Sequence, residues 1–94
     1  MEPGGAPFIR LDTWLWHARL AKTKSACARA VEAGGMRLNR QPVTKAHARV
    51  RVGDVLTFLW QGEMRVWRIQ ALGVRRGPPA EACGLYADIT DPEA

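Results

Sequence analysis

The sequence predicts a single α+β domain, and three observations support this fold class. Apolar residues recur at helical spacing from Leu11 to about residue 33, which predicts two short packed helices. From Met36 onward apolar and polar residues alternate, as they do in half-buried strands. The dipeptide Gln61-Gly62 separates two strand-like runs, which is typical of a β-hairpin. At 94 residues, 47% of them hydrophobic, the chain can form one core and differs from disordered sequences.

The first helix is predicted to begin at Leu11, after a loose arm, rich in glycine and proline, over residues 1–9. Its predicted buried face consists of Leu11, Trp14, Leu15 and Ala18. Asp12, Trp16 and Arg19 share the opposite face, so we expect Trp16 to be half exposed beside Arg19.

The second helix is predicted over roughly residues 24–33. Thr23 is a suitable N-cap, and Gly34 is a suitable left-handed stop because glycine has no Cβ to strain that conformation. The apolar stripe of this helix is made of small residues, which allow close approach to the first helix: Ala26, Cys27, Ala30 and Val31.

A short strand is expected from Met36, because Met36 and Leu38 point one way and the polar residues between and after them point the other. Asn39-Arg40 predicts a tight turn. Residues 44–51 are polar and basic and have no clear period.

A strong strand is predicted from Val55 to Trp60, and its hairpin partner from Glu63 to about Leu72. The alternation in the partner strand changes phase near Val66, which predicts a β-bulge there. Residues 73–79 are expected to form a loop, and residues 80–87 a short helix with Pro79 near its start.

The charge of the chain is unevenly distributed. Residues 10–51 contain ten of the 14 lysines and arginines but only two of the nine acids, and the whole chain has a net charge of +5. An electrostatic field with its positive charge concentrated in one part of the chain indicates a polyanionic partner. Nucleic acid is the first candidate, and an anionic membrane surface is the second.

The strongest candidate site lies at the start of the second helix. Lys22, Ser25 and Arg29 step by three and four residues, so they line one side of this helix and its entry. Free backbone N–H groups at a helix start favour phosphate. A solvated charged face is the alternative, but the scarcity of acids and the nearby Trp16 favour nucleic-acid contact. Trp16 is open to a core or a base-stacking role, while core roles are expected for Trp14, Trp60 and Trp67.

Enzymatic and metal chemistry is not expected. The sequence has no Walker pattern, no GxGxxG and no GxSxG, and its two histidines lack ligand spacing. Cys27 and Cys83 lie far apart, which predicts neither a zinc site nor a disulfide but two thiols in small apolar gaps. Free thiols, the lack of a signal-peptide pattern and the absence of an apolar run of about 18 residues predict a cytoplasmic protein without a cofactor or membrane segment.

Five ordered motifs carry a family resemblance over about residues 10–58. They are Arg10-Leu11-Asp12-x-Trp14-Leu15, Lys22-Thr23-Lys24-Ser25, Ala30-Val31-x-Ala33-Gly34, Met36-Arg37-Leu38-Asn39 and Val52-Gly53-Asp54-Val55-Leu56. This string resembles the S-four-type RNA-binding domain, or αL motif. Further motifs resemble the bacterial ribosome-associated heat-shock protein 15 family within that superfamily: Trp14-Leu15-Trp16-x-Ala18-Arg19, Arg75-Arg76-Gly77-Pro78, Glu81-Ala82 and Leu85-Tyr86.

The resemblance implies two short packed helices on a small, strongly bent antiparallel β-sheet. It divides the chain into a flexible arm (1–9), an S-four-type domain with a C-terminal β-hairpin (10–72) and a C-terminal extension (73–94). Carried over residue by residue, it implies an RNA-binding face of Arg10, Arg19, Lys22, Thr23, Lys24, Ser25, Arg29, Arg37, Asn39 and Lys45, to which Arg40 is added as a departure from the family pattern. Asp12 would orient Arg10 or Arg19. Arg40 stands where relatives usually have glycine, which costs turn stability and adds a phosphate contact.

The expected function is that of a ribosome-associated RNA-binding protein, not an enzyme. It would dock on ribosomal RNA or tRNA of the large subunit as a monomer, with weak binding to DNA, and assist rescue or recycling of stalled translation. Two alternatives remain open at this point. One is an accessory domain that delivers RNA to a modifying enzyme, and the other is a protein-interaction module that uses the hairpin over residues 55–72.

Overall fold

The computed structural model describes residues 7–90 and contains short helices and strands. The helices are α1 (Leu11–His17), α2 (Lys24–Glu32) and α3 (Pro79–Ala82), and a 3-10 turn (Cys83–Leu85) follows α3. The strands are β1 (Ile9–Arg10), β2 (Met36–Leu38), β3 (Gln41–Val43), β4 (Arg49–Val50), β5 (Val55–Trp60), β6 (Glu63–Ile69) and β7 (Tyr86–Asp88). No helix within residues 7–90 combines the length and the apolar character that crossing a membrane requires.

Five strands form an antiparallel sheet in the order β3-β2-β5-β6-β7, and β1 pairs with β4 in a separate small ladder. Helices α1 and α2 pack on one face of the five-stranded sheet, where the apolar faces of both meet Leu56, Phe58 and Trp67. The predicted α+β fold, with two packed helices on a small antiparallel sheet, is therefore confirmed.

Tryptophan rings form the centre of the core. Trp14 is fully buried and meets Trp67 edge-on, with 6.3 Å between ring centroids. Trp67 in turn stacks on Tyr86 at 3.8 Å and meets Phe58 edge-on. The expected core roles of Trp14 and Trp67 are confirmed, and Trp60 is half-buried against the same core.

Both predicted tight turns are present. Asn39 and Arg40 have positive φ angles of 52° and 72°, and Gln61 and Gly62 have φ angles of 54° and 82°. Two consecutive left-handed residues match the twist of the strands they join. They therefore close the β2–β3 and β5–β6 hairpins tightly.

The β-bulge predicted near Val66 is wrong. The register of β5 and β6 runs without interruption from Val55 opposite Arg68 to Trp60 opposite Glu63. The phase change in the sequence has another cause, because the sheet carries apolar residues on both of its faces. Trp67 and Ile69 face the helices, whereas Met64 and Val66 face away. The strand also ends at Ile69, before the expected Leu72.

The predicted arm over residues 1–9 does not extend to its last residue. Ile9 belongs to β1 and pairs with Val50, and Phe8 lies under the guanidinium groups of Arg49 and Arg51, at 4.5 and 5.4 Å. Residues 1–6 lie outside the described residues. The segment 44–51 thus contains a strand, β4, which is too short to show a period.

The C-terminal part of the chain completes the sheet. The helix predicted over residues 80–87 ends at Ala82, and Tyr86–Asp88 forms β7 beside β6 instead. Stacking of Tyr86 on Trp67 favours the strand over a further helical turn.

Cys83 is exposed, against the expectation of a buried thiol, while Cys27 is buried as expected. Residues 91–94 lie outside the description.

Candidate nucleic-acid interface

The entry to α2 is capped as predicted. The Thr23 side-chain oxygen accepts a hydrogen bond from the Ala26 N–H at 3.0 Å, and the Thr23 backbone is extended. This cap satisfies one of the free N–H groups of the first turn and fixes where the helix begins. Lys22, Lys24 and Ser25 surround the entry and are exposed. Two ammonium groups and a hydroxyl therefore lie around the remaining free N–H groups.

Arg29 lies one turn further along the same exposed side of α2 as Lys22 and Ser25. Within residues 7–90 the ion pairs are Arg10–Asp12, Arg65–Glu63 and Arg75–Glu81. We call Lys22, Ser25 and Arg29 the α2 row, and its two cations have no carboxylate partner in the described part of the chain. A row of uncompensated cations beside a helix start is suited to successive phosphates.

Trp16 is half-buried, as predicted, and its exposed part belongs to the same surface. The Lys24 ammonium lies 5.7 Å from the centre of the Trp16 ring, within the range of a cation–π contact. A base that stacks on this face of Trp16 would have to displace Lys24.

Asp12 is 3% exposed, which corrects the prediction that it lies on an exposed face of α1. It accepts hydrogen bonds from Arg10 Nε at 3.1 Å and Arg10 Nη2 at 3.0 Å, and from the Thr13 N–H at 2.8 Å. Asp12 thus orients Arg10, one of the two roles expected for it. Arg10 has five N–H donors, so this pair leaves three of them for a ligand.

Two side chains of α1 hold the segment after β6. The Trp14 indole N–H donates to the Ala71 carbonyl at 2.9 Å, and His17 Nδ1 lies 3.1 Å from the Leu72 carbonyl. A carbonyl only accepts hydrogen bonds, so the hydrogen of the neutral His17 ring belongs on Nδ1. We call residues 71–77 the C-terminal strap. Gly73 allows its close approach, because a Cβ there would lie 3.3 Å from His17 Nδ1.

Arg19 is the third side chain that holds the C-terminal strap. Its Nη1 donates to the Gly77 carbonyl at 2.7 Å, and its backbone has a positive φ of 65° at the junction of α1 and α2. The predicted RNA-binding residue Arg19 therefore holds the backbone of the strap. Sequence reasoning missed this contact, because a carbonyl 58 residues away leaves no local pattern.

The predicted site residues of β2 lie on the other side of the sheet. Leu38 is opposite Leu56, which faces the helices, so Arg37, opposite Thr57, faces away from them. We call the sheet face that points away from α1 and α2 the outer face. Arg37 is exposed on it, separate from the α2 row.

Asn39 has a structural role in the β2–β3 turn. Its amide nitrogen donates to Asp54 Oδ1 at 3.0 Å, and its amide oxygen accepts from the Val55 N–H at 2.9 Å. The neighbouring Arg40 is exposed and carries no ion pair within residues 7–90. Lys45 is also exposed, between β3 and β4. The structure thus brings Lys22, Thr23, Lys24, Ser25 and Arg29 together and places Arg37 and Arg40 elsewhere.

Arg68 is a cation on the outer face that sequence reasoning missed. It lies opposite Val55 in the β5–β6 ladder and is exposed. Strict alternation along β6 would have predicted that Arg68 lies on the outer face. The predicted bulge interrupted that alternation, so the prediction was not made.

The described residues contain no cluster of metal ligands, and the buried thiol of Cys27 is not activated as a nucleophile. No group of three or more metal-ligating side chains occurs within residues 7–90. Burial raises the pKa of the Cys27 thiol and outweighs the backbone hydrogen bond at Ala21, which lowers it. A thiol with a raised pKa stays protonated and is a poor nucleophile.

Comparisons with known proteins agree with this geometry. The family model named S4 domain matches residues 9–56. Heat shock protein 15 of Escherichia coli K12 is 31% identical over 91 residues, which are 97% of this chain and 68% of that protein. A heat shock protein 15 homolog of Haemophilus influenzae is 36% identical over 80 residues, which are 85% of this chain and 60% of that protein. The solved structure described as trimeric Vibrio cholerae heat shock protein 15 has a TM-score of 0.80 at 32% identity, covering 87% of this chain and 82% of that one.

Proposed function

This chain belongs to the heat shock protein 15 family of S4-domain proteins, and from that premise we propose that it binds structured ribosomal RNA or tRNA. The observation that carries the proposal is the exposed row of Lys22, Ser25 and Arg29 at the capped start of α2, which has no carboxylate partner among the described residues.

The proposed mechanism is electrostatic docking on a rigid scaffold. Lys22 and Arg29 neutralise phosphates, and Ser25 and the free N–H groups of α2 donate hydrogen bonds to the phosphate oxygens. The Thr23 cap and the close packing of α1 on α2 hold these donors in one geometry. A rigid row selects RNA by the shape of its backbone, because a structured RNA fixes the spacing of its phosphates.

The affinity of the protein for a structured fragment of large-subunit ribosomal RNA, measured at increasing salt concentrations, tests this mechanism. With about six phosphate contacts, the slope of log affinity against log salt is expected to lie between about −4 and −5. An affinity that does not change with salt would contradict the proposal.

A finer proposal concerns the cellular role. The protein docks on the large ribosomal subunit in the cytoplasm and assists rescue or recycling when translation stalls. The family relationship to heat shock protein 15 supports this role. Co-sedimentation through a sucrose gradient, with and without stalled translation, is the test. Absence from the large-subunit fraction under both conditions would contradict it, and no RNA-modifying activity is expected.

One observation favours a second function, protein contact through the β5–β6 hairpin. Leu59 and Met64 lie side by side on the outer face near its tip and are 61% and 55% exposed. The Vibrio relative is described as trimeric, whereas the sequence predicts a monomer for this chain. Sedimentation equilibrium decides between the two, and replacement of Leu59 and Met64 by serine should dissociate an assembly that uses this patch.

A further inference from the structure

The outer face of the sheet is a cationic surface separate from the α2 row. Arg37, Arg40 and Arg68 are exposed there or at its edge and make no ion pair within residues 7–90. None of the outward-facing positions of β2, β5 and β6 is an acid. Asp88 lies opposite Trp67 and so shares the phase that faces the helices. Any ligand that covers this face therefore has to be compatible with three positive charges.

A groove of about 470 Å³ lies on this face. Its apolar lining comes from Val55, Val66 and Ile89, and its cationic lining comes from Arg40 and Arg68. Asp54 is not among the residues that line the groove, and its carboxylate accepts hydrogen bonds from the Asn39 amide and the Arg51 N–H. The groove thus combines an apolar lining with cations at its sides.

This combination fits unpaired nucleotides better than a duplex. In a duplex the base faces are stacked inside, so the apolar lining would remain uncovered against a backbone. Unpaired nucleotides present base faces to apolar side chains and phosphates to arginines at the same time. The phosphates of such an RNA would then contact the arginines, and its bases would cover the apolar surface of the groove.

Chain connectivity links the groove to α2. Gly34-Gly35 joins the end of α2 directly to β2, and the β2–β3 hairpin with Arg37 and Arg40 forms one edge of the sheet. We propose that the groove is a second RNA subsite, which holds unpaired nucleotides that continue from a structured RNA bound at α2. This inference rests on the proposed function and adds to it a class of substrate, a structured RNA with a single-stranded flank.

Two fluorescently labelled RNA probes test the inference: a blunt hairpin, and the same hairpin with six unpaired uridines at one end, made in both polarities. The wild-type protein should bind an extended probe more tightly than the blunt one. A single-strand phosphate contact changes the salt slope by about 0.7, which corresponds to about fivefold in affinity at 0.1 M salt. Arg68→Gln should therefore lose about fivefold on the extended probe and nothing on the blunt one.

Arg65→Gln is the matched control, because Arg65 lies on the same strand but opposite Phe58, on the face that points to the helices. It should leave the difference between the probes unchanged. Arg29→Gln should weaken both probes equally. Melting temperatures of all three variants confirm that each is folded.

The outcomes separate the two proposals. Equal wild-type affinity for the blunt and both extended probes, or an equal loss on all of them with Arg68→Gln, overturns the second subsite and leaves RNA binding at α2 intact. Binding of no probe, or an unchanged affinity for both probes with Arg29→Gln, overturns the proposed function itself. A change of sedimenting mass with Arg68→Gln, without a change in RNA affinity, assigns the face to contacts between copies and also overturns the subsite.

Discussion

The β2–β3 turn allows a sharp test, because its two residues share a left-handed backbone but differ in their side-chain contacts. Asn39 has φ 52° and makes two side-chain hydrogen bonds, to Asp54 and the Val55 N–H. Arg40 has φ 72° and makes no side-chain hydrogen bond to the described residues. Arg40→Gly should therefore stabilise the protein, and Asn39→Gly should destabilise it.

The magnitudes follow from the backbone and the contacts. A left-handed conformation costs a residue with a Cβ about 1–2 kcal/mol. The greater freedom of glycine in the unfolded chain offsets about 0.5–1 kcal/mol. The net gain for Arg40→Gly is thus about 0.5–1 kcal/mol, or about 2–8 °C in Tm for a domain of this size. It also creates Asn-Gly, the preferred sequence for this turn.

Asn39→Gly relieves little backbone strain, since asparagine tolerates the left-handed region well. It loses two exposed hydrogen bonds, worth together about 1 kcal/mol at the lower end of their usual range. The expected Tm decrease is about 4–8 °C. Thermal unfolding followed by circular dichroism measures both variants. A lower Tm for Arg40→Gly would refute the conclusion that the Arg40 backbone is strained. A higher Tm for Asn39→Gly would refute the conclusion that the Asn39 side chain stabilises the turn.

Three further predictions concern the helix pair. The double variant Lys22→Gln/Arg29→Gln should reduce the steepness of the salt dependence of RNA binding by about 1.4–1.8, measured by fluorescence anisotropy; an unchanged slope would exclude both side chains as phosphate contacts. Arg19→Ala should lose a charged hydrogen bond to the Gly77 carbonyl and about 1.5–3 kcal/mol of stability, with faster amide exchange over residues 71–77; unchanged exchange there would contradict the holding role of Arg19. Thr23→Ala should cost about 1 kcal/mol in urea unfolding, and Thr23→Ser should restore most of it; equal stability of the two variants would contradict the cap.

The separation of the cations by the sheet changes how the family resemblance is interpreted in this chain. Arg10 and Arg19 are partly engaged by Asp12 and Gly77, and Asn39 supports a turn. Among the predicted site residues, those without a side-chain hydrogen bond or ion pair within residues 7–90 include Lys22, Ser25 and Arg29 beside α2, Arg37 and Arg40 on the outer face, and Lys45. Arg40 has a left-handed, strained backbone, and it lines the groove that we propose as a second RNA subsite.

Much of the candidate site could be predicted because its signals are local. The spacing of Lys22, Ser25 and Arg29 places them on one side of α2, and Thr23 and Gly34 mark its two ends through cap and stop chemistry. The remaining site residues could not be grouped from spacing alone. Whether Arg37 faces the helices or faces away depends on the register of β2 with β5, which is a long-range pairing.

The sequence by itself determined the helix pair, its cap and stop, and the two tight turns, because each depends on neighbours within a few residues. Tertiary structure alone decided that Asp12 is buried, where its N–H donates to the Ala46 carbonyl, that Arg19 holds the C-terminal strap and that β7 completes the sheet. It also decided that the cations lie on two separate surfaces. The physical reason is that these contacts join residues far apart in the chain or depend on which face of a sheet is covered. Packing against the tryptophan core determines these long-range contacts and the covered face of the sheet, and no local pattern in the sequence encodes either.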